Sequence, residues 1–286
     1  MPGQLQVVAT PIGNLGDLSQ RAREALARAD VIAAEDTRHT GVLLKALGLA
    51  KPLLSLHEHN ESQRAEKLLG RLAAGERVVL VSDAGTPLLS DPGFELVRLA
   101  VRAGIEVTAI PGPSAITTAL AVAGLPVDRF CFEGFLPART SERRTVLADL
   151  AREPRTLVFF EAPHRISAVL ADIAALFGAG RQAVAARELT KAHETIYRGT
   201  LGELAERAQA EPNFARGEIT LVVQGAAAVE ASAIDQALLR RTVELLSKEL
   251  APARVAAIAS QLTGASRAEA YALAVARGIT PASDDR

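Results

Sequence analysis

Residues 78–93 read VVLVSDAGTPLLSDPG, an apolar run that opens into a long loop ending at Gly93. The apolar run predicts a strand buried on both faces, as in a parallel sheet. Pro87 and Pro92 stiffen the loop, whereas Gly85 lets a ligand approach the backbone closely. A helical pattern follows at once, so this stretch predicts half of a βαβ unit.

The same alternation runs through the first part of the chain. Helical spacing of Ala and Leu separates short apolar runs, and this predicts βαβ units on a parallel sheet within an N-terminal α/β domain, residues 1–112. The predicted strands are residues 5–10, 31–34, 53–56, 78–82 and 106–110, and the predicted helices are residues 19–29, 38–47, 62–74 and 93–103.

The Pro-Gly-Pro segment at 111–113 predicts a break between domains. The apolar runs beyond it lie closer together, with few helices between them, so residues 113–225 predict a second α/β domain with a mixed sheet. Its predicted strands are residues 130–133, 156–160, 183–187, 195–198 and 219–223. Small residues then form a linker, and residues 226–286 predict a tail whose last two helices resemble a helix-turn-helix.

Composition excludes several classes of protein. The 286 residues carry a net charge of −1, so RNA affinity would have to come from a local patch. Cys131 is the one cysteine, which rules out an internal disulfide and a thiolate metal cluster. We expect a cytoplasmic protein, because no basic leader and no apolar stretch of about 18 residues is present.

The predicted ligand loops follow the strands, since ligands of open α/β sheets bind beyond the carboxyl ends of the strands. The first loop, residues 10–17, spaces its glycines as G-x-x-G, which is not the dinucleotide fingerprint. In the second loop Asp83 directly follows a buried strand and could accept hydrogen bonds from a ligand, whereas Asp91 has the alternative role of a helix cap. In the third loop Ser114 is expected to cap the next helix.

Seven stretches together resemble the tetrapyrrole methylase superfamily, and within it the branch that methylates the 2′-oxygen of a cytidine in 16S ribosomal RNA. They are VVATPIGNLGDLS, AAEDTRHTGVLL, LSLHEHNE, VSDAGTPLLSDPG, IPGPSAITTAL, FFEAPHRI and RELTKAHE, and they span almost the whole chain in order. The resemblance implies two α/β domains, S-adenosylmethionine bound between them, a homodimer, and 16S ribosomal RNA or the small subunit as partner, with neither membrane nor DNA expected.

Carried over position by position, the resemblance implies a set of cofactor contacts from four loops. To these the sequence itself adds Gly85. The predicted cofactor residues are Pro11, Ile12, Asp83, Gly85, Leu89, Ser114, Ala115 and Ala162.

Methyl transfer to a ribose hydroxyl requires a group that accepts the hydroxyl proton. Polar clusters follow several strands, and the candidate base is Glu188 or His59, assisted by Lys191 or Arg38. Helix caps and surface ion pairs would explain any one of these residues equally well. No metal is expected, because His57 and His59 lack a third ligand at suitable spacing.

Two regions are candidates for contact with RNA phosphates, and in both a solvated helix face is the alternative. One is the arginine-rich segment 139–155 and the other is the tail, with Arg254, Arg267 and Arg277. Phe135 is expected in the core rather than as a platform for base stacking. Two other functions remain open at this point: methylation of a tetrapyrrole or a modified protein histidine, and non-catalytic nucleotide binding.

Overall fold

We describe a computed structural model of the chain over residues 3–57, 60–227 and 231–276, without the side chains of residues 231–235. Residues up to Gly225 form one compact unit, and residues from Ala226 form a second. Among the described helices, none is both long and apolar enough to span a membrane.

The first sheet has five parallel strands in the order β3-β2-β4-β1-β5. The strands are β1 (Gln4–Val8), β2 (Val31–Ala34), β3 (Leu53–Ser55), β4 (Arg77–Val81) and β5 (Glu106–Ile110). The helices between them are α1 (Gln20–Arg28), α2 (Thr37–Ala46), α3 (Glu61–Ala73) and α4 (Phe94–Arg102), with a short 3-10 turn at Leu15–Asp17. β4 is the middle strand and β1 lies next to it. The carboxyl ends of these two strands lie side by side at the topological switch point, where the strand order changes direction.

The second sheet has the order β6-β7-β10-β8-β9, with β6 and β7 parallel and the other pairs antiparallel. Its strands are β6 (Phe130–Phe135), β7 (Thr156–Glu161), β8 (Gln182–Arg187), β9 (Thr195–Thr200) and β10 (Ile219–Val223). The helices are α5 (Ala115–Ala123), α6 (Thr140–Leu150), α7 (Ile166–Phe177) and α8 (Leu201–Ala210). The carboxyl ends of β6, β7 and β8 therefore share one edge of the sheet.

Apolar side chains alternate between the two faces of the second sheet. One face packs with α6, α7 and α8 around Phe159 and Leu221. The other face packs with α5 and also with Ile12, which comes from the loop after β1. This apolar contact joins the first sheet to the second within the same unit.

The second unit contains three helices, α9 (Ala231–Leu246), α10 (Pro252–Thr263) and α11 (Arg267–Ala276), around a small core that includes Val243 and Val255. Gly264 ends α10 in the left-handed conformation, and the hydroxyl of Ser266 accepts a hydrogen bond from the amide of Glu269 at the start of α11. The tight turn predicted between these helices is confirmed.

The α/β fold class is confirmed, and most elements begin and end within two residues of their predicted limits. The prediction for Phe135 is wrong: this side chain is 56% exposed. Its strand contains a bulge between Phe132 and Gly134, which shifts the alternation of the residues that follow.

Candidate active site

The loops after β1, β4 and β5 meet at Gly85. The backbones of Thr10 and Gly85 exchange two hydrogen bonds, of 2.8 Å and 3.0 Å, and this fixes the first two loops to each other. Gly85 has φ +80°, and a Cβ there would lie 3.3 Å from Cγ2 of Ile12 and 3.7 Å from the carbonyl oxygen of Pro113. The structure therefore brings together the predicted cofactor residues Ile12, Gly85 and Ser114.

Asp83 links this junction to the loop after β2. Its Oδ1 accepts a hydrogen bond of 3.0 Å from the backbone amide of Asp36. Asp36 in turn caps α2 and binds the exposed side chain of Arg38, with 2.6 Å between Arg38 Nη2 and Asp36 Oδ2. The hydrogen bonds from Arg38 hold the pKa of Asp36 well below its usual range. Arg38 thus lies at the same edge of the sheet as Asp83.

The start of α5 differs from expectation. Ser114 is the N-cap residue, but its side chain makes no capping hydrogen bond. Its carbonyl oxygen instead accepts from the hydroxyl of Thr118 at 2.7 Å. The predicted side-chain cap is therefore wrong, and the first amides of α5 remain suited to bind an anionic group.

The start of α4 also differs from the simplest reading of the sequence. The amides of Gly93 and Glu95 donate to Oε1 of Glu61, at 3.0 Å and 2.8 Å. Glu61 comes from the first turn of α3, so α4 is capped by a neighbouring helix. The alternative role of Asp91, as the cap of α4, is therefore wrong.

The loop after β8 holds an ion pair. Nζ of Lys191 lies 2.9 Å from Oε1 of Glu188 and 3.1 Å from Oε2 of Glu218. Burial works to raise the pKa of Glu188, but hydrogen bonds from Lys191 and from the Glu218 amide hold this pKa below its ordinary value. Burial likewise opposes the charge of Lys191, yet the two carboxylates raise its pKa. Glu188 is therefore a weak base here, and Lys191 stays protonated.

Two glycines make room for this pair. A Cβ on Gly217 would lie 2.3 Å from Oε1 of Glu188, and a Cβ on Gly13 would lie 2.3 Å from Cγ of Lys191. Gly13 belongs to the loop after β1, which carries Pro11 and Ile12, whereas Gly217 directly precedes Glu218. Larger residues at either position would displace the ion pair. Lys191 thus packs against the loop after β1, which carries the predicted cofactor residues Pro11 and Ile12.

Among the described residues, backbone strain at non-glycine positions lies in the loops after β4 and β8. The non-glycine residues with positive φ in the described part of the chain are Leu88, Ser90, Glu188 and Thr190. Leu88 and Ser90 flank Leu89 in the loop after β4, and the other two lie in the loop after β8. Such conformations cost about 1–3 kcal/mol each and cluster at functional sites.

The loops after β6 and β7 are held by buried charges. Glu161 is buried and binds Arg165, with 3.1 Å between Arg165 Nε and Glu161 Oε1. Burial raises the pKa of Glu161, and its carboxylate also accepts a hydrogen bond from the Ala162 amide. Arg165 Nη2 donates to the carbonyl oxygen of Leu136. Ala162, a predicted cofactor contact, thus lies at the carboxyl edge of the second sheet.

The predicted basic patch in segment 139–155 is mostly neutralised. Arg143 is buried and binds Asp172, and Arg144 binds the other oxygen of the same carboxylate. Arg139 and Arg155 pair with Glu142 and Glu153. These arginines stabilise the fold locally, which argues against a large phosphate-binding surface there.

The remaining predicted residues have simpler environments. Pro11 is partly buried and Leu89 is 39% exposed, and both lie in loops that meet at the junction. Ala115 packs against the apolar cluster that includes Ile12. His59 lies outside the described residues. Within the described ranges, no group of three or more His, Cys, Asp or Glu side chains is placed to hold a metal ion.

Sequence reasoning missed Glu218, Gly13 and Gly217. Glu218 precedes β10, and it meets Lys191 only because β10 pairs with β8. The two glycines matter through contacts with residues far away in the chain. The one sequence signal for Glu218 was its position directly before a buried strand. Charged residues are common at such positions, so this signal was not informative.

Comparison with known proteins agrees with this geometry. The family model of the Tetrapyrrole (Corrin/Porphyrin) Methylases matches residues 4–205. Ribosomal RNA small subunit methyltransferase I of Xylella fastidiosa (strain Temecula1 / ATCC 700964) is 54% identical over 270 residues, which cover 94% of this chain and 98% of that protein. The protein of the same name from Escherichia coli O157:H7 is 50% identical, with coverage of 96% and 95%.

The crystal structure of the methyltransferase CobJ has the same fold, with a TM-score of 0.60 at 24% identity over 79% of this chain and 95% of its own. The family match covers the first sheet and strands β6, β7, β8 and β9 of the second, and the two relatives match nearly the full length. The chain therefore belongs to the tetrapyrrole methylase family, and within it to the ribosomal RNA small subunit methyltransferase I group.

Proposed function

We propose that this protein is an enzyme that uses S-adenosylmethionine to methylate the 2′-hydroxyl of a cytidine ribose in 16S ribosomal RNA. The observation that supports this most is the identity of 54% with a ribosomal RNA small subunit methyltransferase over nearly all of both chains. The strained loops around one junction agree with a catalytic protein. These features argue against a non-catalytic nucleotide-binding module, and the names of the relatives disfavour a tetrapyrrole or protein acceptor.

The residues at the junction fit the cofactor. The amides at the start of α5 lack a side-chain cap and suit a carboxylate. A carboxylate accepts several hydrogen bonds, so Asp83 can accept from a ligand hydroxyl or amine in addition to the Asp36 amide. Gly85 has no side chain, so it leaves space where the three loops meet. The cofactor supplies an electrophilic methyl group when bound, and we assign its binding to the eight residues predicted above.

Lys191 suits the acceptor side because its raised pKa keeps the ammonium charged. We propose that this charge stabilises the oxygen as its proton leaves, and that Glu188 positions the ammonium. Arg38, with an exposed guanidinium at the same edge as Asp83, can bind a phosphate of the RNA. His59 remains a further candidate.

The test of this function is a map of methylated nucleosides in 16S ribosomal RNA from cells with and without the gene. A 2′-O-methyl group blocks attack of that oxygen on the neighbouring phosphate, so the linkage should resist alkali. Alkaline cleavage at the methylated position would show a base as the acceptor, and an unchanged map would exclude this RNA as the substrate.

Asp83→Ala is expected to weaken S-adenosylmethionine binding about tenfold to a hundredfold, because a hydrogen bond to a charged group contributes about 1.5–3 kcal/mol. Isothermal titration calorimetry measures the change. Asp30→Ala is the matched control, since Asp30 also accepts a backbone amide hydrogen bond, from Arg77, but at the amino edge of the same sheet. Equal affinities for the two variants would contradict the assignment.

We propose that the second unit contributes to RNA binding through Arg254 and Arg267, whose side chains are exposed; Arg277 lies outside the described residues. Replacing both by alanine should reduce the salt dependence of RNA affinity by about 0.7 per lost phosphate contact on a single strand. Arg139→Ala is the control, because Arg139 is exposed but already paired with Glu142. A salt slope equal to that of the control would remove the tail arginines from the RNA interface.

We also propose a homodimer and a cytoplasmic location, where ribosomal RNA is available. Strand register places Phe130, Phe132 and Phe135 on the same face as Phe160. Phe130 and Phe135 are 42% and 56% exposed, so this face presents aromatic surface that a second copy could cover. A mass of one subunit in light scattering would exclude the dimer.

A further inference from the structure

The bulge in β6 turns the ring of Phe135 outward. Phe132 pairs with residue 158 of β7, but Gly134 and Phe135 pair with Phe159 and Phe160, so one extra residue is inserted in β6. Regular alternation would have placed residue 135 on the face that packs against α6, α7 and α8. The bulge instead puts its ring on the same face as Phe160, where it is 56% exposed. Bulges beside active sites commonly re-aim a side chain in this way.

The backbone on both sides of Phe135 is held in place. Gly134 is buried with φ +65°, and a Cβ there would lie 3.0 Å from Oγ of Ser90, in the loop after β4. On the other side, Leu136 is 2% exposed, and its carbonyl oxygen accepts a hydrogen bond from Nη2 of Arg165. Phe135 is therefore an exposed ring on a fixed backbone. Such a ring loses little conformational freedom when a ligand binds to it.

The contacts of Phe135 connect it to two of the loops that carry predicted cofactor residues. Its ring centroid lies 5.6 Å from that of Phe160, with 59° between the ring planes. Phe160 packs against the apolar cluster that contains Ile12, from the loop after β1. The neighbouring Gly134 approaches Ser90, which directly follows Leu89 in the loop after β4. The ring thus belongs to the surroundings of the junction, on the side of the second sheet.

An exposed aromatic ring at such a position suits a ligand with a planar face. Proteins that bind single-stranded RNA stack its bases on exposed aromatic side chains. A ribose that is methylated must lie against the cofactor, so its own base and the neighbouring bases reach the same part of the protein. The adenine of S-adenosylmethionine is the other planar group expected near the junction, and a second copy of the chain is the other partner that could cover this face.

We propose that the ring of Phe135 stacks on a base of 16S ribosomal RNA, at or next to the methylated nucleotide, and so positions the acceptor strand. This proposal rests on the proposed function. Phe135 transfers no proton and no group. Stacking of this kind is equally strong before and during methyl transfer, so it contributes to RNA affinity and to KM rather than to kcat.

Phe135→Ala is expected to weaken binding of a ribosomal RNA fragment that spans the methylated nucleotide about 5- to 150-fold, as measured by filter binding. Phe130→Ala is the matched control, because Phe130 lies on the same face of the same strand and is 42% exposed, but at the amino end of β6. S-adenosylmethionine affinity by calorimetry and mass by light scattering should equal the wild-type values.

Three results of this comparison would overturn the proposal. Equal RNA affinities for Phe135→Ala and Phe130→Ala would show that the ring does not contact RNA. A loss of S-adenosylmethionine affinity would assign the ring to the adenine of the cofactor, and a lower mass would assign it to a second copy. Phe94, which is 69% exposed at the first turn of α4, is the competing ring. A loss of RNA affinity in Phe94→Ala but not in Phe135→Ala would assign the base to Phe94.

Two further variants separate stacking from simple apolar contact. Phe135→Trp should keep RNA affinity near the wild-type value, because it retains a planar aromatic face. Phe135→Leu should lose most of the affinity that Phe135→Ala loses, because leucine offers apolar surface without such a face. Full rescue by leucine would show that the residue packs against an apolar surface, which contradicts stacking on a base.

RNA fragments that each lack one base around the methylated ribose locate the stacked base. At the stacking position, loss of the base and Phe135→Ala should not be additive, because each removes the same interaction. Additive losses at every position would contradict the proposal. Failure of the proposed function is distinct, because the wild-type protein would then leave 16S ribosomal RNA unmethylated whichever residue occupies position 135.

Discussion

Gly217→Ala is expected to slow methyl transfer about a hundredfold, because displacing a catalytic group by about 1 Å can cost this much. A Cβ at this position would lie 2.3 Å from the Glu188 carboxylate, and no rotation of the added methyl relieves the contact. Glu188 must therefore move, and Lys191 loses one of its two carboxylate partners. Single-turnover methylation of 16S ribosomal RNA measures the change.

The control for this variant is Gly48→Ala. Gly48 and Gly217 have nearly the same backbone angle, φ +71° and +73°, and a Cβ on Gly48 would have no atom within 4 Å. Both variants lose about 1–2 kcal/mol of stability from the left-handed conformation. Only Gly217→Ala should lose activity beyond that, and equal activities would separate the Glu188–Lys191 pair from catalysis.

Asp172→Ala is expected to lower the free energy of unfolding by about 3–5 kcal/mol, the cost of removing one partner from a buried ion pair. The side chains of Arg143 and Asp172 are 5% and 6% exposed, and Nη2 of Arg143 lies 2.6 Å from Oδ2 of Asp172. Without Asp172, the guanidinium of Arg143 would remain buried but would lose this carboxylate partner. Urea unfolding followed by circular dichroism measures the loss.

Arg144→Ala is the matched control, because Arg144 binds the same carboxylate from a side chain that is 59% exposed. Its removal should cost at most about 1 kcal/mol. Arg143 also donates to the carbonyl oxygens of Pro137 and Ala138, in the loop that joins β6 to α6. Similar losses for Asp172→Ala and Arg144→Ala would show that the buried pair is not the dominant interaction.

The strands and helices of the first sheet could be predicted because each is a local pattern. The predicted strand at residues 78–82 is apolar from Val78 to Val81, and the structure has β4 at Arg77–Val81. The helix at residues 19–29 shows regular spacing of Ala and Leu, and α1 spans Gln20–Arg28 with Ser19 as its cap. In both cases the residues that set the element lie within it.

The details of the site depend on contacts between distant segments, which no local pattern contains. Ser114 looked like a side-chain cap, yet its hydroxyl makes no such bond. Asp91 looked like the cap of α4, but Glu61 reaches that position from another helix. The exposure of Phe135 follows from a bulge that shifts its strand. The position of the loops at one edge of the sheet could be predicted from the sequence, whereas the partners of single side chains could not.

The contact between Gly13 and Lys191 has a consequence for the order in which ligands bind. Gly13 follows Pro11 and Ile12 directly. The alkyl chain of Lys191 packs against Gly13, where a side chain would otherwise lie. A ligand that shifts the loop after β1 would therefore also shift the Lys191 ammonium, which we proposed to act on the acceptor. Thermodynamic linkage makes such coupling reciprocal. If S-adenosylmethionine tightens the binding of ribosomal RNA by some factor, ribosomal RNA must tighten the binding of S-adenosylmethionine by the same factor, and the two ligands act as effectors of each other.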